Sequence, residues 1–454
     1  MKNNQQLYID LRKQYQFFEY QSYSFKITKG SLRAEFCFNL SDKYVFKPVI
    51  TIPSRNIYKY NALSDNDLNN FVFHIGMVEL VSYWKAACPH QVVISPHFLN
   101  EEQVNWWKKL YFHGLGEFFY LNNIDPDFDE FMSITTGEDF LKKVTTELED
   151  DKVLVPIGGG KDSIVTLELL NNSEIEVIPM IVNPREASIR TINIAGYNET
   201  QSVIVKRTID PLLLELNSKG FLNGHTPFSA LLAFTGALSC LISGVSNIAL
   251  SNESSANEST VPGSKINHQY SKTYEFESDF NFYAKKYLHN SINYFSFLRP
   301  INELQIAKLF SGFDQHFDSF RSCNVGSKKD IWCGNCSKCL FTFIALSPFV
   351  NRKNLISIFG KDMLKDLSLQ HIFDELTGIA DVKPFECVGT PEEVVAALSA
   401  VYQKGKLTGL TLDNNYIKKH KSDLKVLISE YNYENLLPAK FEAILKNTLN
   451  DRVT

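Results

Sequence analysis

Excess charge is what this chain most plainly lacks: 46 lysines and arginines stand against 51 aspartates and glutamates, a net charge of −5 over 454 residues. Nucleic-acid binding is dominated by phosphate neutralisation, so a near-balanced, slightly acidic chain gives no electrostatic case for a nucleic-acid partner. The stretch Met1-Lys-Asn-Asn-Gln-Gln6 is polar and lacks the apolar segment of a secretory signal, which predicts a cytoplasmic protein. Internal repeats and low-complexity tracts are also missing, which excludes solenoids and compositionally biased linkers. One stretch, residues 227–245, carries no charge over a length that could cross a bilayer. It is interrupted by Ser229, Thr235, Gly236, Ser239, Ser243 and Gly244, and a strand-like apolar run follows at 247–251. A buried helix feeding a parallel strand accounts for this pattern, so no membrane span is expected. Ordinary apolar content (44%) and this length predict two or three folded domains of roughly 100–200 residues each.

The informative stretch that is present starts with Val153-Leu-Val-Pro-Ile157, an apolar run of strand character. Gly158-Gly159-Gly160 and Lys161-Asp162-Ser163 follow, then apolar positions at Ile164, Leu167 and Leu170 that suit one face of a helix. A strand, a glycine turn and a helix start present backbone N–H groups and the positive helix end to a phosphate. Glycine is needed where a side chain would hold the phosphate off the amides, and where the turn requires positive φ. The spacing is not that of a Walker A loop, G-x-x-x-x-G-K-[ST]. It resembles the S-G-G-x-D-S loop of the PP-loop ATP pyrophosphatases, which split ATP between its α and β phosphates and adenylate a substrate. The resemblance implies ATP and Mg²⁺, with Gly159, Gly160 and Ser163 on the leaving pyrophosphate and Asp162 helping to place the metal. Gly158 and Lys161 complete the loop; Gly158 departs from the pattern, since many relatives carry serine there.

Along the rest of the chain, residues 15–53 predict short strands, with 20–28 and 31–39 as a hairpin around Lys29-Gly30 and 44–52 as a third strand. Residues 65–87 read as a helix with Ser64 as its N-cap. The following aromatics, including Trp106-Trp107 and Phe118-Phe119-Tyr120, suit a core or a stacking surface for a base or sugar. Residues 122–138, polar and broken by Pro126, read as a linker. From 151 onward strands at 153–157, 176–182 and 247–250 alternate with helices, which predicts a parallel sheet with helices on both faces. Ligands of such sheets lie outside the C-terminal strand ends, so the loops after Ile157, Val182 and Leu250 matter most. In PP-loop relatives the loop corresponding to Asn183-Pro-Arg185 recognises the adenine and ribose. The end of the chain predicts helices at 362–376, 391–403 and 438–449, and Thr390-Pro-Glu-Glu393 has the residues of a helix start.

The expected fold class is therefore α/β. It comprises an N-terminal α+β substrate-binding domain (1–140), a PP-loop parallel-sheet domain resembling the adenine nucleotide α-hydrolases (145–348) and a helical C-terminal region (349–454).

Four of the eight cysteines, Cys323, Cys333, Cys336 and Cys339, fall within seventeen residues. In a cytosolic chain such spacing points to a metal before a disulfide, a structural Zn²⁺ or an iron–sulfur cluster. A PP-loop followed by this cysteine pattern resembles 7-cyano-7-deazaguanine synthase, which adenylates a carboxylate and is about half as long.

Further polar islands narrow the reading: 223–228, 251–257, Asn267-His-Gln-Tyr-Ser-Lys272, 297–304, 320–324 and Lys383-Pro-Phe-Glu-Cys-Val-Gly389. With the glycine loop they resemble the UDP-N-acetyl-alpha-D-muramoyl-L-alanyl-L-glutamate epimerase family over residues 15–450. The resemblance implies a UDP-sugar dipeptide as substrate and epimerisation of its terminal L-glutamate to the D form in peptidoglycan biosynthesis. An acyl-adenylate would be the intermediate, and AMP and diphosphate the by-products. Adenylation makes chemical sense, because a free carboxylate leaves the neighbouring α-proton too weakly acidic for a protein base. Candidates for proton transfer are His268, His225, Lys272 and Glu253, all in loops expected near the strand ends. A pair formed by Cys323 and Cys387 is the alternative, unless Cys323 binds metal. Asn267, Arg299 and Arg321 are candidate substrate contacts, and Asn183 a candidate nucleotide contact. A carboxylate-to-amide or nitrile synthase and a non-catalytic nucleotide sensor remain the competing functions.

Overall fold

The computed structural model describes residues 3–55, 58–59, 63–257, 270–380, 383–384, 386, 388–404, 409–413, 416–417 and 423–452. Helix α1 (Gln5–Gln14) leads into a hairpin of β1 (Phe17–Thr28) and β2 (Ser31–Leu40). Lys29 and Gly30 both take positive φ, 49° and 74°, the two-residue turn that matches strand twist. The expected third strand is split into β3 (Tyr44–Phe46) and β4 (Val49–Ile52), because Pro48 lacks the N–H that a continuous ladder needs. Helix α2 (Asp65–Trp84) begins with a capping box in which Ser64 and Asp67 satisfy each other's backbone N–H. Next come β5 (Gln91–Ile94), α3 (Glu101–Gly114), α4 (Gly116–Leu121) and β6 (Ser133–Thr136). The stretch read as a linker thus supplies an edge strand, paired in parallel with β5.

The second half runs β7 (Glu149–Pro156), α5 (Lys161–Asn171), β8 (Glu176–Val182), α6 (Glu186–Ile194), β9 (Val203–Thr208), α7 (Pro211–Ser218), α8 (Phe228–Ser243) and β10 (Val245–Leu250). It continues through α9 (Tyr274–Tyr283), β11 (Asn293–Ser296), α10 (Glu303–Phe310), α11 (Ser337–Leu346), α12 (Arg352–Phe359), α13 (Gln370–Thr377) and α14 (Pro391–Lys404). Helices at Leu424–Leu427 and Ala439–Arg452 close the described chain. Of the helix expected at 362–376, only α13 and short 3₁₀ turns before it form.

The strands make one eleven-stranded sheet, ordered β11-β10-β7-β8-β9-β4-β2-β1-β5-β6, with β3 on β2. Every pairing from β11 to β9 is parallel. Strand β9 pairs with β8 on one side and antiparallel with β4 on the other, which joins the two halves. The chain proceeds from β7 outward to β8 and β9, then returns to place β10 and β11 on β7's opposite side. The crevice between the ends of β7 and β10 is therefore the topological switch point, where ligands of open α/β sheets lie.

Alternation along β7 sends Leu154 to one core and Val153 and Val155 to the other. The first core contains the N-terminal half and α8. The second contains α5, α10 and the C-terminal helices. The aromatic-rich stretch is core: Trp107 and Phe118 are fully buried. The Tyr283 hydroxyl accepts from Trp107 Nε1 at 3.0 Å and from Gln103 Nε2 at 3.2 Å, and bonds His74 Nε2 at 2.9 Å. Helix α8, the charge-free stretch, is almost wholly buried and ends on Gly244 in the left-handed conformation. No helix of the described residues is long and apolar enough to cross a membrane.

Candidate active site

Three glycines join β7 to α5, and each meets a different environment. Gly159 has φ +84°, and a Cβ there would lie 2.8 Å from the backbone of Ala187 and Ser188 at the start of α6. Gly160 is the N-cap of α5 and brings no capping side chain, while a Cβ on it would meet Ser322 Oγ at 2.7 Å. The first N–H groups of a helix have no intrahelical partner, so this uncapped end is free to receive an anion. Gly158 has open space around its missing Cβ, so a serine side chain would fit there.

The loop faces a cleft of about 270 Å³ at the switch point. Its walls include Gly158, Gly160, Asp162 and Ser163, with Arg185 from the loop after β8 and Ser251 and Asn252 from the loop after β10. Ser229, Lys272, the run from Arg321 to Asn324, and Lys338 complete them. Arg185 donates to the Gly158 carbonyl at 3.0 Å. The Arg321 backbone N–H donates to Gly159 O at 2.8 Å, and its guanidinium donates to the carbonyls of Phe320 (2.7 Å) and Asp330 (3.2 Å). Burial pulls the Arg321 pKa below its usual value. Among the described residues no close ion pair ties Arg185, Arg321 or Lys338 to a carboxylate, while Asp330 acts on Arg321 and Glu386 on Lys338 from further off. Asp162 supplies a partly exposed carboxylate, tied on its inner side to the Lys161 ammonium.

Other sequence-predicted residues stand elsewhere. Lys161 is 3% exposed and bridges Asp162 and Glu303 beneath the loop, off the cleft wall. Two carboxylates in contact outweigh its desolvation and hold its pKa above the usual lysine range. Asn183, left-handed at φ 49°, accepts from the Arg207 backbone N–H at 2.7 Å. Its neighbour Arg185 is the member of that loop that reaches the cleft. Arg299 is fully buried and acts as a strut. It donates to Glu253 O at 3.0 Å and Lys272 O at 2.6 Å and pairs with Glu277 at 3.2 Å, which fixes the loops that carry Glu253 and Lys272. The Glu253 carboxylate accepts from Ser255 Oγ at 2.8 Å. His225 Nδ1 lies 3.4 Å from Glu117 of α4, away from the cleft lining. Asn267, His268 and Cys387 lie outside the described residues.

The four cysteines converge: all their Sγ atoms lie within 4.8 Å of one another. Sγ separations are 3.8 Å for Cys323–Cys336, 3.7 Å for Cys333–Cys339 and 3.5 Å for Cys336–Cys339. Four thiolates around one tetrahedral Zn²⁺, each about 2.3 Å from it, stand about 3.8 Å apart. The spacing is that of four ligands to a single ion. Backbone N–H groups of Gly326 (3.1 Å) and Cys333 (3.4 Å) point at Cys323 Sγ, as a thiolate requires. Hydrogen bonding between Cys336 and Cys339 lowers the Cys336 thiol below the usual thiol range. The knuckle borders the cleft directly, since Cys323 and Lys338 both line it.

Residues 10–297 match the model of the MurL N-terminal domain, and residues 319–426 that of the MurL C-terminal domain. The chain belongs to the MurL family. It is similar to the UDP-N-acetyl-alpha-D-muramoyl-L-alanyl-L-glutamate epimerase of Salinispora tropica, with 34% identity over 392 residues, 84% of each chain. The enzyme of the same name from Xanthomonas oryzae pv. oryzae is 33% identical over 334 residues, 72% of this chain and 73% of that one. A Micromonospora relative with that name is 32% identical over 394 residues, 85% of this chain and 87% of its own. No solved structure matches the chain.

Neither Glu303 and Glu393 nor Lys338 is marked out as a site residue by the sequence. Lys338 stands two residues beyond Cys336 in α11 and lines the cleft. Glu303 was visible as part of a polar island, but its partner Lys161 lies 142 positions away. The one available signal was a lysine in a glycine loop that any fold must either expose or pair.

Proposed function

We propose that the protein is an ATP-dependent epimerase that inverts the terminal L-glutamate of UDP-N-acetylmuramoyl-L-alanyl-L-glutamate to D-glutamate, releasing AMP and diphosphate. The observation that carries this reading is the content of one cleft. The uncapped start of α5, the Asp162 carboxylate and the three cationic side chains Arg185, Arg321 and Lys338 meet at the switch point. Such a site suits a nucleoside triphosphate with a divalent cation. The names of the relatives supply the substrate.

In this mechanism a substrate carboxylate oxygen attacks the α phosphorus of ATP, and the bond to the leaving diphosphate breaks. The amides of Gly159 and Gly160, the start of α5 and Ser163 hold that diphosphate. Arg185, Arg321 and Lys338 balance charge on the phosphates and on the substrate's acids. Mg²⁺, where bound, would screen the phosphates, and Asp162 is the carboxylate placed to hold it. The acyl-adenylate lacks the carboxylate's negative charge, so a base can remove the α-proton. An acid returns a proton to the opposite face, and water then cleaves the acyl–phosphate bond to give AMP and the free carboxylate. Of the proton-transfer candidates among the described residues, Lys272 and Cys323 line the cleft, and Cys323 is taken up where the cysteines hold a metal. We assign a structural Zn²⁺ to Cys323, Cys333, Cys336 and Cys339, where it would fix Ser322 and Asn324 against the loop.

The reading is tested by incubating the protein with ATP, Mg²⁺ and the UDP-sugar dipeptide and quantifying AMP. Substrate-dependent AMP release is expected, falling at least about a hundredfold in Asp162→Ala. Full activity in that variant would remove Asp162 from the site. AMP release with a different acid and ammonia would instead favour the carboxylate-to-amide class.

A further inference from the structure

A lysine at the first position of a helix that follows a glycine loop would ordinarily be expected to reach the phosphates. Here it does not. Lys161 points beneath the loop, where its ammonium contacts Asp162 on one side and Glu303 on the other. Glu303 is 4% exposed and is the first residue of α10, the helix packed against α5. Its own backbone N–H is received by Glu393 Oε1 at 2.7 Å, while Glu393 Oε2 receives the Thr390 N–H at 2.7 Å. The N-cap of α10, Asn302, donates to Leu427 O at 2.7 Å, and Gln305 donates to the carbonyls of Ile428 and Glu430 at 3.1 and 2.9 Å. The position of Glu303 is therefore set from two sides by the C-terminal helical region.

We infer that Lys161 and Glu303 are a positioning pair. Glu303 holds Lys161 under the loop, and Lys161 fixes the inner oxygen of Asp162, so that the outer one stays presented to the cleft. The inference rests on the nucleotide reading of the cleft and goes beyond it. It gives Lys161 a task other than binding phosphate and makes the C-terminal helices part of the loop's support. The pair does not touch substrate, so neither residue is catalytic.

A buried ion pair can often be replaced by apolar residues of like volume without loss of stability, whereas removing one partner is costly. That difference separates positioning from mere structure. Full-length Lys161→Met, Glu303→Leu and the double variant are compared by thermal melting and by equilibrium titration with ATP in the presence of Mg²⁺. Each single variant should melt lower, and the double should recover most of that loss. Its half-saturating MgATP concentration should nevertheless stay about tenfold above wild type, because Asp162 no longer has its inner contact. Glu303→Gln, which keeps an oxygen for the ammonium, should fold and stay within about threefold of wild type, and it serves if the apolar pair does not fold.

A double variant that recovers both stability and wild-type MgATP binding would overturn the inference, as would Glu303→Gln binding MgATP as poorly as the double is expected to. A wild-type protein that binds no MgATP would instead overturn the nucleotide reading, and the inference with it.

Discussion

Gly159 meets two separate demands, a left-handed backbone at φ +84° and a backbone approach to α6 that leaves no room for a methyl group. Either alone would favour glycine. Together they make Gly159→Ala costly, with about 1–2 kcal/mol from the backbone conformation before the clash is counted. Gly159→Ala is expected to lower the melting temperature and cut AMP release by at least about tenfold, because the loop must open to relieve the contact. Gly158→Ser, with open space around its Cβ, should melt with the wild type; equal melting of both variants would contradict the loop geometry. The strand, glycine turn and helix around Asp162 were legible in sequence because their signals are local. Arg299 was singled out for its charge, yet it is an internal strut. Burial decides which of two chemically identical arginines can reach a cleft, and burial depends on contacts that are remote in the chain.

Helix α14 shows what is legible at the scale of an element. Thr390-Pro391-Glu392-Glu393 reads as a helix start, and Glu393 N does donate to Thr390 Oγ1 at 3.1 Å. That Glu393 also caps α10 was not readable, because Glu303 lies 90 positions away. Burial raises the Glu393 pKa from 4.5 to about 7. The folded state therefore keeps a proton that the unfolded chain has already released between those values. Its contribution to stability is fully present below about pH 4.5 and lost as pH rises through about 7, amounting to at most about 3 kcal/mol. Urea melts at about pH 5 and about pH 8 should show this slope, and Glu393→Gln should flatten it. An unchanged slope would assign the effect to another group. The hairpin at Lys29-Gly30 and the cap at Ser64 were readable for the same reason as this helix start: each is a short-range signal. Strand β9 was hidden in a polar stretch, since Val203-Ile-Val205 is a short apolar run beside Lys206 and Arg207. Strand β6 is weaker still, with no residue of Ser133–Thr136 fully buried.

At the scale of the whole molecule, β9 matters most. It turns two sets of strands into one sheet, and Arg207 on it forms a buried ion pair with Glu79 of α2. The alternation of strands and helices beyond residue 151 was enough to pick out the loops after Ile157, Val182 and Leu250, all of which reach the cleft, but not the strand order that makes it a switch point. The seam between β4 and β9 was not legible, because pairing partners 159 positions apart (Val49 and Thr208) leave no mark on local sequence. The same long-range folding brings the cysteine knuckle, the loop after β8 and the start of α5 to one cleft. On the proposed function, this cleft drives inversion by adenylation. Its most direct test is to run the reaction in D₂O with ATP, Mg²⁺ and UDP-N-acetylmuramoyl-L-alanyl-L-glutamate, and to measure AMP together with the chirality and mass of the glutamate recovered. Expected is D-glutamate carrying deuterium at Cα, formed only when AMP is formed. D-glutamate produced without ATP cleavage, or AMP released with the L configuration wholly retained, would contradict it.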